Sequence, residues 1–374
     1  MEIDIIKVSN RNELSQFIDF PKDLYKSDPN FIFEPTSMQK EFLSTKNPFF
    51  DHSNATYYLA KVENKLVGRI ASIINTAHNE VYNEKTGFFG FFEVIEDYNI
   101  AKVLIDTVVN DHHKNGFDSI IGPTNFTTND SCGFLISGFE SPPVVMMPYN
   151  KPYYNDFIME YGFEKIMDLS SYSIKQEVFL SPSYVEFEKR IRSKITPKGI
   201  TIRTINYKNF DQELISFREV YNQSNAKNWG FIPLSEREFK HTAYQLKQFV
   251  PEKFMLIAEK EGKQIGFLVA LPDLNQVFSR IRSGRLFPFG FIKFLWYQKK
   301  VNNSRVLILG LLDEYRNKGI DFMLYKKIHE NLTSMGIYQS EACYVMESNI
   351  KMNSILNSIQ STCVKKYRIY KKPI

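Results

Sequence analysis

Cysteine is scarce. Cys132, Cys343 and Cys363 are the only three in 374 residues. An odd number so widely spaced excludes a disulfide framework and fits a reducing compartment. Long apolar runs are lacking too. No stretch reaches roughly 18 uninterrupted apolar residues, so no membrane-spanning helix is expected. The opening residues Met1-Glu2-Ile3-Asp4 are acidic and lack the basic and apolar regions of a secretory signal, so none is expected. The expected location is therefore the cytoplasm. No His-x-x-x-His or Cys-x-x-Cys spacing occurs, and His112 and His113 are adjacent, so on a helix they point to different faces. No metal site is expected. A Walker loop and a Gly-x-Ser-x-Gly elbow are missing as well.

What is present describes an ordinary globular protein. Hydrophobic residues make up 43% and charged residues 24%, and the length favours two domains over one. A net charge of +5 suits an anionic cofactor or an anionic membrane face and is too weak to argue for nucleic acid. The 32 Phe and 21 Tyr suggest large apolar pockets or an aromatic-rich surface.

The chain reads as an internal duplication. Ala60-Lys-Val-Glu-Asn-Lys-Leu-Val-Gly68-Arg-Ile-Ala can be laid over Ala258-Glu-Lys-Glu-Gly-Lys-Gln-Ile-Gly266-Phe-Leu-Val. Each reads as a strand, a polar turn and a second apolar strand, which is a hairpin. Gly68 and Gly266 stand early in the second strand, where glycine marks a bulge or a close backbone approach. The first half continues with a strand over 88–95, a helix over 99–114, a strand over 119–122, a helix over 153–161 and a strand over 165–174. The second half gives a strand over 306–312, a helix over 319–335, a strand over 341–346, a helix over 351–359 and a strand over 366–371. Hairpin, strand, helix, strand, helix, strand, twice, predicts an α/β fold with a mixed sheet. The expected domains are 1–178 and 200–374, joined by a linker, 179–199, with a short helix.

The segment Leu311-Leu312-Asp313-Glu314-Tyr315-Arg316-Asn317-Lys318-Gly319-Ile320-Asp321 has the sharpest chemical pattern. A strand enters a polar turn that opens a helix. Free N–H groups at a helix start attract phosphate oxygens. Arg316 and Lys318 add positive charge, and Gly319 lets the backbone come close. The plain alternative is a strand–turn–helix corner with solvated charges.

This segment resembles the pyrophosphate loop of the GNAT (GCN5-related N-acetyltransferase) superfamily, Arg/Gln-x-x-Gly-x-Gly/Ala, through Arg316, Gly319 and Asp321, the last departing from the pattern. The resemblance implies two tandem GNAT-like domains. It implies acyl-CoA, or an acyl carrier protein thioester, held by Leu311, Leu312, Arg316, Asn317, Lys318, Gly319 and Ile320. Asn349, with Asn353 a turn later, matches the Asn beside the pantetheine. The corresponding first-half loop, Glu93-Val-Ile-Glu-Asp-Tyr-Asn99, has no glycine and three acids, so it is not expected to bind pyrophosphate. Several strings narrow the likeness to the bacterial ceramide-synthase-like family: Asn47-Pro-Phe-Phe-Asp-His52, Gly87-Phe-Phe-Gly-Phe-Phe-Glu93, Gly122-Pro-Thr-Asn-Phe126, Met147-Pro-Tyr-Asn-Lys-Pro-Tyr-Tyr154, Asn228-Trp-Gly-Phe231 and Tyr367-Arg-Ile-Tyr370. The activity implied is N-acylation of a sphingoid long-chain base by a fatty acyl thioester.

A lipid substrate agrees with the aromatic run Arg285-Leu-Phe-Pro-Phe-Gly-Phe-Ile-Lys-Phe-Leu-Trp-Tyr297, punctuated by Arg280, Arg282, Lys299 and Lys300. It is too short to span a bilayer but suits an anionic headgroup region, so Leu286–Tyr297 is a candidate peripheral contact with the inner membrane. A hairpin or helix packed on its own domain, walling an acyl tunnel, is the alternative.

Candidates for proton transfer are His52, Glu93, Glu341 and Glu347; strand-end acids are also ordinary solvated groups. Tyr367 and Tyr370, read as facing one side of the last strand, are candidate donors to the thioester or the leaving thiolate, with core packing as the alternative. The mechanism expected is direct transfer, with the thioester carbonyl against backbone N–H groups near Leu311–Leu312 and no nucleophilic Ser or Cys. Two readings stay open beside it: a degenerate tandem GNAT serving as a lipid- or partner-binding module, and a Fem-type aminoacyl transferase.

Overall fold

The computed structural model describes residues 2–175, 177–281, 283–286 and 289–374. Arg282, Phe287 and Pro288, read above as part of the aromatic run and its cations, lie outside the described residues.

The chain runs through β1 (Asp4–Lys7), α1 (Arg11–Leu24), α2 (Thr36–Phe42), β2 (Asn54–Val62), β3 (Lys65–Ile74), α3 (Thr76–Tyr82), β4 (Thr86–Val94), α4 (Tyr98–Lys114), β5 (Ser119–Gly122), β6 (Phe134–Ser137), α5 (Tyr153–Glu160) and β7 (Glu164–Lys175). It continues through α6 (Glu177–Leu180), α7 (Pro182–Ile195), β8 (Ile200–Thr204), α8 (Phe210–Asn225), α9 (Glu236–Lys247), β9 (Met255–Lys260), β10 (Lys263–Pro272), α10 (Asn275–Phe278), α11 (Phe289–Tyr297), β11 (Asn303–Leu311), α12 (Ile320–Thr333), β12 (Gln339–Met346), α13 (Ile350–Ser358) and β13 (Thr362–Pro373). The repeat read from sequence starts at the hairpin. It leaves out β1, α1 and α2 and their counterparts β8, α8 and α9. Pro21 inside α1 blurs the helical period there.

Two compact units result. One is Met1–Leu169 with Phe278–Phe294 and Lys365–Ile374; the other is Ser170–Val277 with Leu295–Val364. In the first, the strand order is β1-β2-β3-β4-β5-β13, with β6 also on β13. In the second it is β8-β9-β10-β11-β12. Both sheets are mixed, the β4/β5 and β11/β12 pairs being parallel and the hairpins antiparallel.

The repeat is visible in the register. Ala60 pairs with Gly68, and Ala258 with Gly266; across the sheet Gly68 faces Val94, and Gly266 faces Leu311. A Cβ at Gly68 would lie 2.6 Å from Leu104 Cδ1, and one at Gly266 2.3 Å from Leu311 Cδ2 and 2.8 Å from Gly310 O. Gly68 therefore lets α4 close onto the hairpin, and Gly266 leaves room for the Leu311 side chain of the neighbouring strand. In the first unit Ile100, Leu104 and Val108 of α4 bury their helical stripe against the sheet, with Phe89, Phe92 and Tyr154. The linker helix α7 is fastened to α12: Tyr184 stacks on Phe322 at 4.4 Å, and Glu188 pairs with Lys326 at 2.7 Å. Among the described residues no helix is long and apolar enough to cross a membrane.

Candidate active site

In the second unit the parallel ladder joins Asn303–Val306 to Gln339–Ala342. Among the described residues the pairing stops there, although β11 runs on to Leu311. Leu307 is the extra residue of a bulge against β10, where the register shifts between Val269 and Ala270. Leu307, Ile308 and Leu309 are only half-buried. The two strands thus part into a fork toward their C-terminal ends. The Leu312 N–H donates to Ile265 O at 3.0 Å, so it is already used on the β10 side. This corrects the expectation that Leu312 offers its N–H to a thioester. Strand alternation turns the N–H groups of Leu311 and Leu309 the other way, into the fork.

Beside the fork, α12 starts at Gly319, whose φ of +82° is a left-handed conformation that favours glycine, and no side chain caps the helix. A Cβ there would lie 2.7 Å from Ile191 of α7, so the linker helix closes on this turn. Arg316 braces the loop: Nη2 donates to Ser224 O at 2.6 Å and Nε to Leu311 O at 3.2 Å, and it pairs with Asp313. Lys227, then Arg316, holds the Asp313 carboxyl below its usual range. Lys318 lies over the Tyr315 ring. Lys351 of α13 bonds the Asn317 side chain, which ties the two prongs of the fork together. Asp321 puts a carboxylate in the first helical turn.

At the β12 end, Asn349 caps α13 by accepting from the Met352 N–H at 3.1 Å. Asn353 donates to Met346 O and Asn349 O at 2.9 Å each, and accepts from Tyr172 Oη at 2.8 Å. Tyr172, which the sequence reading missed, brings a phenol from β7 to a helix that has none of its own. Glu347 is exposed in the turn after β12. Glu341 is buried inside the strand, where Ser171 Oγ donates to it at 2.7 Å and Arg305 is its neighbour in register. The loop residues 311–320 and Glu347, Asn349 and Asn353 therefore gather at one end of a parallel strand pair.

His52, Glu93 and Tyr367 belong to the first unit. There β4 and β5 also pair only over Thr86–Phe88 and Ser119–Ile121, and Phe91 bulges with φ +50°. That fork is filled. Thr124 N–H donates to Phe89 O at 2.8 Å, and Phe91 N–H donates to Asn125 Oδ1 at 2.9 Å. Ile95 N–H donates to Val67 O at 3.0 Å, the counterpart of the Leu312–Ile265 bond. Val94, the counterpart of Leu311, gives its N–H to Tyr154 Oη at 2.9 Å. Asp97 caps α4 by accepting from Asn99 N–H at 2.9 Å.

Glu93 is buried in the first unit. Tyr25 Oη at 2.6 Å and Tyr154 Oη at 2.8 Å donate to it, and Arg69 stands 3.8 Å away. Burial pushes its carboxyl above the usual range against the pull of Arg69, and burial drives both phenols far up. His52 shares a 2.7 Å bond with Ser53 Oγ, which accepts the Thr76 N–H. Tyr367 and Tyr370 do not face one side. Three residues apart on a strand they fall on opposite faces. Tyr370 shares the face of Arg368 and donates to Asn155 Oδ1 at 2.8 Å, while Tyr367 is wholly buried on the other. Among the described residues no three His, Cys, Asp or Glu side chains gather as a metal would need.

No family model matches the chain. Over 372 residues it is 35% identical to Protein YghO of Escherichia coli, covering 98% of this chain and 94% of that one. Among solved structures, a tandem GNAT protein from the clavulanic acid biosynthesis pathway superposes at TM-score 0.61 with 10% identity, covering 100% of this chain and 98% of that chain. The chain belongs to the YghO family and has the tandem GNAT fold. The tandem GNAT fold accounts for the duplicated forks. The same chain is 29% identical over 381 residues to bacterial ceramide synthase of Caulobacter vibrioides, covering 100% of this chain and 98% of that one.

Proposed function

We propose that this tandem GNAT protein is an N-acyltransferase that moves a fatty acyl group from a thioester of coenzyme A or acyl carrier protein to the amine of a membrane-resident sphingoid long-chain base. The observation that carries the reading is the contrast between the copies. The second keeps fork-facing strand N–H groups beside an uncapped helix start, whereas the first has closed both with its own side chains. Full-length likeness to a bacterial ceramide synthase supports the lipid amine.

In this reading the phosphates lie against the α12 start, near Arg316 and Lys318, and the thioester carbonyl accepts from the Leu309 or Leu311 N–H. The amine attacks the carbonyl carbon, the C–N bond forms and the C–S bond breaks. The amine proton goes to Glu347, the exposed carboxylate at the fork, because Glu341 is held by Ser171. Tyr172 supplies a proton to the leaving thiolate and recovers one from solvent. Asp321 at the helix start favours the rival reading, a non-catalytic lipid-binding module, because its charge opposes phosphate.

The test is the purified chain with palmitoyl-CoA and sphinganine, the product read by mass spectrometry. An N-acyl product that disappears in Glu347→Gln supports the reading. Absence of product with both donor types, together with an unchanged melting temperature in their presence, overturns it.

A further inference from the structure

Helix α11 is apolar on nearly every side. At 3.6 residues per turn, Phe291, Leu295, Ile292, Trp296 and Phe289 sweep an arc of roughly 160°, and all five are exposed, Phe289 by 73% and Ile292 and Trp296 by 65% each. The opposite arc holds the helix in place. Phe294 is 8% exposed and stacks on Phe278, and a Cβ at Gly290 would lie 2.2 Å from Arg285 O. The preceding turn is anchored in turn, since Thr36 N–H donates to Gly284 O at 3.0 Å and Gly284 packs on Phe33. This is a docked helix presenting its broader apolar face outward. A monomer seldom exposes such a patch without a partner for it.

Charge identifies the partner. From Leu274 to Leu312 the chain has no Asp or Glu and seven Arg or Lys, so this one stretch outweighs the +5 of the whole molecule. Arg280, Arg285, Lys293, Lys299 and Lys300 are exposed around the helix. Lys300 sits over the Trp296 ring at 5.3 Å, so a cation and an interfacial aromatic share one place. Basic side chains bordering exposed aromatic and aliphatic ones match the boundary between anionic headgroups and acyl chains.

We propose that α11 docks the protein on an anionic bilayer. Phe289, Ile292 and Trp296 enter the headgroup–acyl boundary, and Lys293, Lys299 and Lys300 meet lipid phosphates. Phe294 stays in the protein core. The proposal deepens the lipid-acceptor reading above and rests on it for its purpose.

Trp229 and Trp296 are the only tryptophans, so Trp229→Phe leaves Trp296 as the sole reporter. With vesicles of phosphatidylcholine and phosphatidylglycerol at low salt, the full chain is expected to co-sediment and Trp296 emission to shift to the blue. Phosphatidylcholine alone, or high salt, should abolish most of this. Phe289→Ser/Ile292→Ser/Trp296→Ser should weaken binding roughly tenfold or more, with an unchanged circular-dichroism melt because the three are exposed. Lys293→Gln/Lys299→Gln/Lys300→Gln should flatten the salt dependence. Three outcomes overturn the proposal: no binding of wild type to anionic vesicles at low salt, equal binding by the apolar triple variant, or self-association through this helix in place of vesicle binding. Acyl transfer to a water-soluble amine, run in parallel, should be unchanged in the triple variant. Absence of N-acyl product from sphinganine in wild type with both donor types, and no shift in its melting temperature, would sink the acyltransferase reading while leaving the vesicle result to stand by itself.

Discussion

Tyr154 Oη accepts the Val94 N–H at 2.9 Å and so occupies, in the first copy, the backbone group whose counterpart at Leu311 faces the open fork of the second. Tyr154→Phe would strand that N–H and remove one donor from Glu93. The expected cost is about 1–3 kcal/mol of stability, seen in urea unfolding. Affinity for an acyl thioester should be unchanged by calorimetry. A large loss of affinity would move the donor site to the first copy.

Arg316→Ala is expected to weaken thioester binding roughly tenfold, since a charge-assisted contact contributes about 1.5–3 kcal/mol. Asp97→Ala, at the matching helix start of the first copy, removes an N-cap. It should cost about 0.5–2 kcal/mol of stability and leave affinity alone. Calorimetry of both variants checks the pair; equal affinities in the two would exclude the α12 start as the phosphate site.

Glu93 carries a pH signature. Its folded pKa lies above the ordinary value of 4.5, so the native state holds a proton that the unfolded state has released. The stabilisation is full below about pH 4.5 and is lost as pH rises through the folded pKa. Glu93→Gln should remove this decline. Melting curves across pH 4–8 that keep the same slope in the variant would refute the assignment.

His329 acts in the opposite direction. Burial, aided by Lys326, lowers its pKa from 6.5 to about 4, and its ring lies 4.0 Å from Phe179. The neutral ring contributes stability above pH 6.5 that is lost as pH falls toward 4, because the unfolded chain takes up the proton first. His329→Leu should flatten the acid limb of the stability profile. Chemical denaturation at pH 5 and pH 7 measures it, and an unchanged difference between the two would count against a buried neutral ring.

Much of the architecture was legible in the chain. The hairpins around Gly68 and Gly266, the apolar stripe of α4 and the turn at Gly319 are local patterns. Strand alternation, helical period and glycine placement all act within a few residues, so they can be read without knowing what packs where. The aromatic run was legible as composition, but not the division between Phe294, which is buried, and Trp296, which is exposed.

What the sequence by itself determined is the duplicated order of elements and the residues that line the Arg316–Gly319 turn. Only the tertiary structure decided which backbone groups remain open. The Leu312 N–H is used by Ile265, Val94 is closed by Tyr154, and Phe91 by Asn125. The partners in these bonds are separated by 34 to 60 positions where a side chain closes the group. A hydrogen bond over such a separation leaves no periodic trace in the sequence, because it depends on how strands and helices are brought together rather than on the residues beside it.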